Sequence, residues 1–172
     1  MFRFQPSSIS KTCYKSTKKG TLTRAFFFVG KIFVRFMIEF TEKDAGKILS
    51  WSDISEVHKT RHGIYQCGGR LVSLLTDFGK INPCYPDFQG DTQDTIFYTG
   101  AGRRGDQKLD SFNRAMFGAI ETKHAVPLFN KLAVGRWQFL RFWRVTEGEY
   151  IFDERQDRMI WKFTLCKSKE NL

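Results

Sequence analysis

The side chains that carry most catalysis and metal binding are scarce in this chain. It has three histidines, His58, His62 and His124, and four cysteines, Cys13, Cys67, Cys84 and Cys166. No two cysteines form a CxxC pair, and no spacing of His and Cys matches a metal site. No catalytic residue, metal or cofactor is therefore expected. A disulfide framework is not expected either at this size and cysteine density, which fits a reducing compartment. What remains is binding chemistry. Tyrosines, aspartates and glycines crowd the stretch from Tyr85 to Gly102, and Arg103, Arg104 and Lys108 follow directly. Aromatic faces stack on flat rings, glycines let a backbone come close, and cations hold phosphates. Each has a plainer reading beside it. Tyr98 also suits a core, and Asp91 and Asp94 also suit a solvated loop.

Those residues need elements to place them. Residues 70–76 form a short apolar run that reads as a buried strand. Residues 77–94 then make a long loop with two prolines, two glycines and four aspartates. Loops of that length in a compact domain usually serve function or are disordered. Ile96-Phe97-Tyr98 reads as a second strand ended by Gly100 and Gly102. Asp110 or Ser111 can cap a helix, in which Phe112, Met116, Ala119 and Ile120 recur at helical spacing. Val126–Phe129 reads as an edge strand because Pro127 is tolerated there. Residues 136–145, Tyr150–Phe152 and Met159–Leu165 supply further strands. Upstream, Asp53–Lys59 suggests a helical turn, and His62–Gly69 a Gly-punctuated loop. Residues 25–40 alternate apolar side chains in the manner of a strand, and residues 1–24 are polar, basic and expected to be mostly disordered.

Charge is distributed unevenly. The formal net charge is +10 over 172 residues. Residues 1–38 carry eight Lys or Arg and no acid, while the other twenty cations face all eighteen acids. A polyanionic partner is implied by the total, but in the body of the chain it must be met by local patches. The apolar run Ala25–Gly30 is interrupted by Lys31 and Arg35, so no membrane span is expected. The acid-free start is compatible with a solvated arm or an organellar targeting segment.

Three blocks in order carry a family resemblance. Phe97-Tyr98-Thr99-Gly100-Ala101-Gly102 is a YTGxG strand end, Asp106-Gln107-Lys108-Leu109 a DQxL segment, and Asn113-Arg114-Ala115 the start of an NRA-type helix. Together they resemble the SRA/YDG family, most nearly the compact SRA-like domain at the N-terminus of HNH-type modification-dependent restriction endonucleases. The flanks agree: Gly46-Lys47-Ile48, Tyr85-Pro86-Asp87 and Trp161–Leu165 are similar to family segments. The resemblance covers about residues 43–168. Phe112 departs from the family's glycine, and the long finger loop of eukaryotic relatives is reduced to Arg103 and Arg104.

The resemblance implies an α+β, PUA-like SRA fold, a curved sheet or small barrel with flanking helices. It spans residues 41–168, after a basic extension at 1–40 and before a tail at 169–172. It implies a non-catalytic module that flips a modified cytosine, 5-methyl or 5-hydroxymethyl, out of duplex DNA. Tyr85 and Tyr98 would supply stacking faces, Asp87 or Asp91 would accept from the cytosine amino group, and the backbone at Thr99 and Gly100 would read the remaining edge. Arg103, Arg104 and Lys108 would hold flanking phosphates. The basic and aromatic loop of His58, Lys59, Arg61, Tyr65 and Gln66 would enter a groove or plug the gap. Asn113 is expected to be structural. The expected partner is double-stranded DNA, bound by a monomer in the nucleus or nucleoid, alone or beside a nuclease or chromatin protein. Two other readings stay open: the specificity part of a modification-dependent nuclease, and a PUA-like RNA-binding domain.

Overall fold

The structure, a computed structural model, describes residues 40–168. The extension, its strand expected over 25–40 and the last four residues lie outside the described residues, apart from Phe40. After a single 3-10 turn at Glu42–Asp44 come strand β1 (Ile48–Leu49) and the short helix α1 (Trp51–Ser55). Ser50 and Asp53 form a reciprocal capping box at the start of α1, with Asp53 Oδ2 accepting from the Ser50 N–H at 2.8 Å. Then follow β2 (Ile64–Cys67), β3 (Arg70–Thr76), β4 (Phe88–Gln89), β5 (Thr95–Thr99), helix α2 (Ser111–Thr122), β6 (Val126–Ala133), β7 (Arg136–Asp153) and β8 (Arg158–Lys167).

All eight strands join one sheet in the order β2-β3-β6-β7-β8-β5-β4, with β1 paired to β7. Only β3 and β6 pair in parallel, Leu74 opposite Leu128. The sheet buries both faces because its strands are apolar on successive residues. Leu74 and Leu128 face α2, where Ala115, Met116 and Ala119 pack against them. Their neighbours Leu75 and Phe129 turn the other way, toward Ile54, Phe139 and Trp137 under α1. Helix α2 begins where expected. The Asp110 carboxylate accepts from the Phe112 and Asn113 N–H groups at 3.0 and 2.9 Å, and Lys123 ends the helix at φ +54°.

Four elements differ from the sequence reading. The stretch 77–94, expected to be a loop, contains strand β4, which pairs with β5. Residues 64–67 are a strand, not part of a loop, because Gly68 and Gly69 at φ +59° and +83° make the turn of a hairpin with β3. Residues 136–153 form one strand where two were expected. β6 is interior rather than an edge, and its proline is accommodated at a register irregularity between Pro127 and Phe129.

The ladder leaves the sheet open, yet its two halves meet. β3 and β5 are four places apart in the sheet, about 19 Å if it were flat at the usual strand spacing. The Tyr98 hydroxyl on β5 nevertheless donates to the Leu75 carbonyl on β3 at 2.9 Å. The sheet therefore curls until β3 and β5 face each other across a seam closed by side chains.

Candidate functional site

A cavity of about 540 Å³ opens at this seam. Asp87 sits in its wall and bridges the two lips. Its Oδ2 accepts from the Thr76 hydroxyl on β3 at 2.7 Å, and its Oδ1 from the Thr99 N–H on β5 at 2.7 Å. Burial disfavours the charged carboxylate and outweighs the hydrogen bonds from Thr76 and Thr99, so the carboxyl titrates at about 7. The Thr99 hydroxyl is buried beside it without a hydrogen bond of good geometry. Tyr98 forms part of the wall. Its ring is covered, its hydroxyl is held by Leu75, and burial lifts its pKa well above the usual value. Gly63 is needed there: a Cβ on it would lie 2.7 Å from the Tyr98 hydroxyl oxygen.

The loops around Asp87 are fixed by buried polar side chains. Asp77 accepts from the Gly79 N–H and from both the backbone and side-chain N–H groups of Asn82 at 2.8–2.9 Å, folding the start of the 77–87 loop. That loop delivers the half-buried Tyr85 to the cavity. Asn113, fully buried, accepts from Ala101 N–H and donates to the Ala101 and Lys108 carbonyls at 2.7–3.0 Å. Gln107 ties Gly100 to Trp161. Arg158, 5% exposed, donates to the carbonyls of Cys84, Gly102 and Gly105 at 2.7–3.3 Å, bolting the two loops together with neutral acceptors.

The opposite side is built from rings and cations. The Arg61 guanidinium lies 3.8 Å over the Trp51 ring, Trp51 packs on Trp137 at 5.7 Å, and the Lys131 ammonium is 5.8 Å from Trp137. Arg61, Trp137 and Lys131 all line the cavity.

The structure brings Tyr85, Asp87, Tyr98, Thr99, Gly100, Arg61 and Arg103 to one cavity and leaves others out. Asp91 is exposed outside it, so of the two acids only Asp87 is placed there. Tyr98 is walled in rather than an open stacking face. The backbone of Thr99 and Gly100 is already engaged: Thr99 N–H by Asp87, Gly100 N–H by Trp161 O and Gly100 O by Gln107. His58 cannot reach a groove, because it is completely buried. Its Nε2 donates to the His62 carbonyl at 2.7 Å, which leaves Nδ1 to accept from the Ser73 hydroxyl at 2.9 Å, and burial lowers its pKa to about 4. Gln66 caps the β2–β3 turn by accepting from Gly69 N–H, and the half-buried Tyr65 packs on His58. Lys59, Arg104 and Lys108 are exposed and do not line the cavity. Sequence reasoning missed Thr76, Arg158, Lys131, Trp51 and Trp137. The only signal, for Lys131 and Trp137, was the interleaving of Trp and cations around 131–137. Among the described residues, no three His, Cys, Asp or Glu side chains are placed to hold a metal ion.

Residues 52–166 match the family described as ScoMcrA-like, SRA domain. The solved SRA domain of SUVH5 in complex with hemi-methylated CG DNA superposes with a TM-score of 0.63, at 19% identity, over 75% of this chain and 91% of that one. The same domain bound to fully hydroxymethylated CG DNA superposes at 0.60, also at 19% identity and with the same coverage of both chains. The modification-dependent restriction endonuclease TagI superposes at 0.60 with 17% identity, over 73% of this chain and 50% of that one. At these identities the likeness is one of fold: a sheet-dominated domain with few helices. No curated protein matches the chain.

Proposed function

The chain belongs to the ScoMcrA-like SRA domain family, and from that premise we propose that it binds duplex DNA and reads a modified cytosine extruded into the cavity around Asp87. The observation that carries this reading is the Asp87 carboxyl. Both its oxygens are oriented by the lips of the seam, and it lines the same cavity as the accessible ring of Tyr85. Extruding a base costs a few kcal/mol. Stacking on Tyr85 offsets about 1–3 kcal/mol of that, and a hydrogen bond to a charged acceptor adds about 1.5–3 kcal/mol. Cytosine presents an amino donor at N4, and Asp87 has lone pairs left to accept it. The Thr99 hydroxyl, buried beside Asp87, helps to hold that carboxyl, since the neighbouring backbone groups are already engaged. Arg61, Arg103 and Lys131 at the margin hold phosphates and contribute affinity without sequence information.

In this reading the chain is a reader without catalysis, associated with DNA. The SRA structures it resembles are complexes with methylated and hydroxymethylated CG DNA. The likeness to TagI supports the same reading within a modification-dependent nuclease, with the cutting groups elsewhere. The test is anisotropy binding at fixed salt to matched duplexes carrying C, 5-methyl-C or 5-hydroxymethyl-C, with a single-stranded RNA control. A tenfold or larger preference for one modified duplex, abolished in Asp87→Asn, is expected. Equal weak binding to all probes would overturn it.

Binding also depends on pH. The amino group favours the ionised carboxylate, so the complex forms with loss of the Asp87 proton. The preference for the modified duplex is expected to rise with pH up to about 7 and to level off above it, while the phosphate contacts of the rim keep a pH-independent background.

A further inference from the structure

A flipped base leaves a hole in the duplex that something must fill or support. Of the residues expected to do so, His58 is buried, Gln66 caps a turn, Arg61 lies on Trp51 and Tyr65 packs on His58, which leaves the exposed Lys59. The loop after Gly100 offers only Arg103 and Arg104. One other element projects beside the cavity, the hairpin joining β6 and β7. Its stem pair, Lys131 opposite Trp137, lines the cavity. Ala133 pairs with Arg136, so Val134 and Gly135 alone make the turn, with Gly135 at φ +71°.

The apex breaks local rules. A β-branched apolar residue is a poor turn former, and Val134 is 95% exposed, with Leu132 beside it 45% exposed. Nothing in the fold needs an apolar side chain there, and such local inconsistencies concentrate at functional positions. The stem is held firm, since Trp137 is 6% exposed and packs at a tilt against Trp51. Lys131 stands at one side of the tip and the exposed Arg136 at the other. The tip reaches about 10 Å past the stem pair, three residues at strand rise.

We propose that the β6–β7 hairpin enters the duplex beside the extruded nucleotide, with Val134 and Leu132 as the apolar wedge and Lys131 and Arg136 on the flanking phosphates. The inference rests on the base-flipping reading and assigns the element that lowers the cost of the flip. Apolar wedges of this kind partly unstack a base step, and cations beside them recover the cost through phosphate contacts.

The test compares the full chain with the double variant Leu132→Ser, Val134→Ser on two duplexes. Both carry the modified cytosine preferred by the wild type, opposite guanine in one and mispaired with adenine in the other. A mispaired base is already cheap to extrude, so a wedge matters less there. The expected result is about tenfold weaker binding to the paired duplex, less than twofold change on the mispaired one, and an unchanged melting temperature. Equal affinities of variant and wild type on the paired duplex would overturn the wedge, as would an equal loss on both duplexes. Failure of the underlying reading looks different: the wild type itself would not prefer the modified paired duplex over the unmodified one.

Discussion

On the side of the cavity built from residues 76–113, almost every contact is a hydrogen bond with a fixed direction. Thr76 and Thr99 orient Asp87, Asn113 clamps Ala101 and Lys108, and Arg158 joins the Cys84 loop to the Gly102 loop. On the side built from Arg61, Trp51, Trp137 and Lys131, the contacts are ring faces and cations 3.8–5.8 Å apart. Directional bonds fail when a partner is displaced by an ångström, whereas stacked rings and ammonium groups slide. In the proposed reading, the first side would discriminate and the second adhere, so that one site would separate specificity from affinity in space.

The largest expected effect strikes the directional side. Asn113→Ala removes three bonds and strands the Ala101 and Lys108 backbone groups in a buried place, at a cost of about 3–4 kcal/mol in urea unfolding. Trp51→Leu, on the sliding side, is expected to cost about 1–2 kcal/mol, since Trp51 is only half buried. A reversal of that order would break the comparison.

Next comes a pair of opposed pH profiles. Asp87 titrates at about 7 in the folded protein, against 3.8 ordinarily, so the fold holds a proton that the unfolded chain has released between those values. Its contribution to stability is full below about 4 and is lost as pH rises through 7. His58 titrates at about 4 against 6.5, so its contribution is full above 6.5 and is lost as pH falls through 4. Urea titrations of Asp87→Asn and His58→Gln from pH 4.5 to 7.5 should therefore diverge from wild type with slopes of opposite sign. Parallel profiles would show that one of the two groups is not buried as described.

The smallest effect belongs to the rim. Arg61→Gln is expected to weaken binding to modified and unmodified duplexes by a similar factor of about two to five, and to reduce the salt dependence by about one phosphate contact. A selective loss on the modified duplex would move Arg61 to the discriminating side.

What could be read from the sequence follows the range of the interactions. The Asp110 cap, the helical spacing through Ala119 and the strand around Tyr98 are decided by neighbours within a few residues, and all were legible. The YTGxG, DQxL and NRA blocks pointed to the fold because they are contiguous. Cys67 was read into a loop because Gly63, Gly68 and Gly69 carry the same turn signal, although only the last two make a turn. Pro127 suggested an edge because the irregular register that admits it depends on β7. Arg158 carried no signal, since its partner Cys84 lies 74 residues earlier in the chain. Choosing between Asp87 and Asp91 needed Thr76 and Thr99, which meet only once the sheet curls.

That curl has a mechanical consequence. The lips of the seam are joined not by a ladder but by a few side-chain links: Tyr98 to Leu75, and Thr76 to Asp87 to Thr99. Such links contribute about 1 kcal/mol each, so the seam is where the molecule should part first in its thermal breathing. A base seated against Asp87 would fasten the clasp from inside. Amide exchange at Leu75, Thr76, Tyr98 and Thr99 would then slow together on DNA binding, and the stiffness of the sheet would itself report whether the cavity is filled.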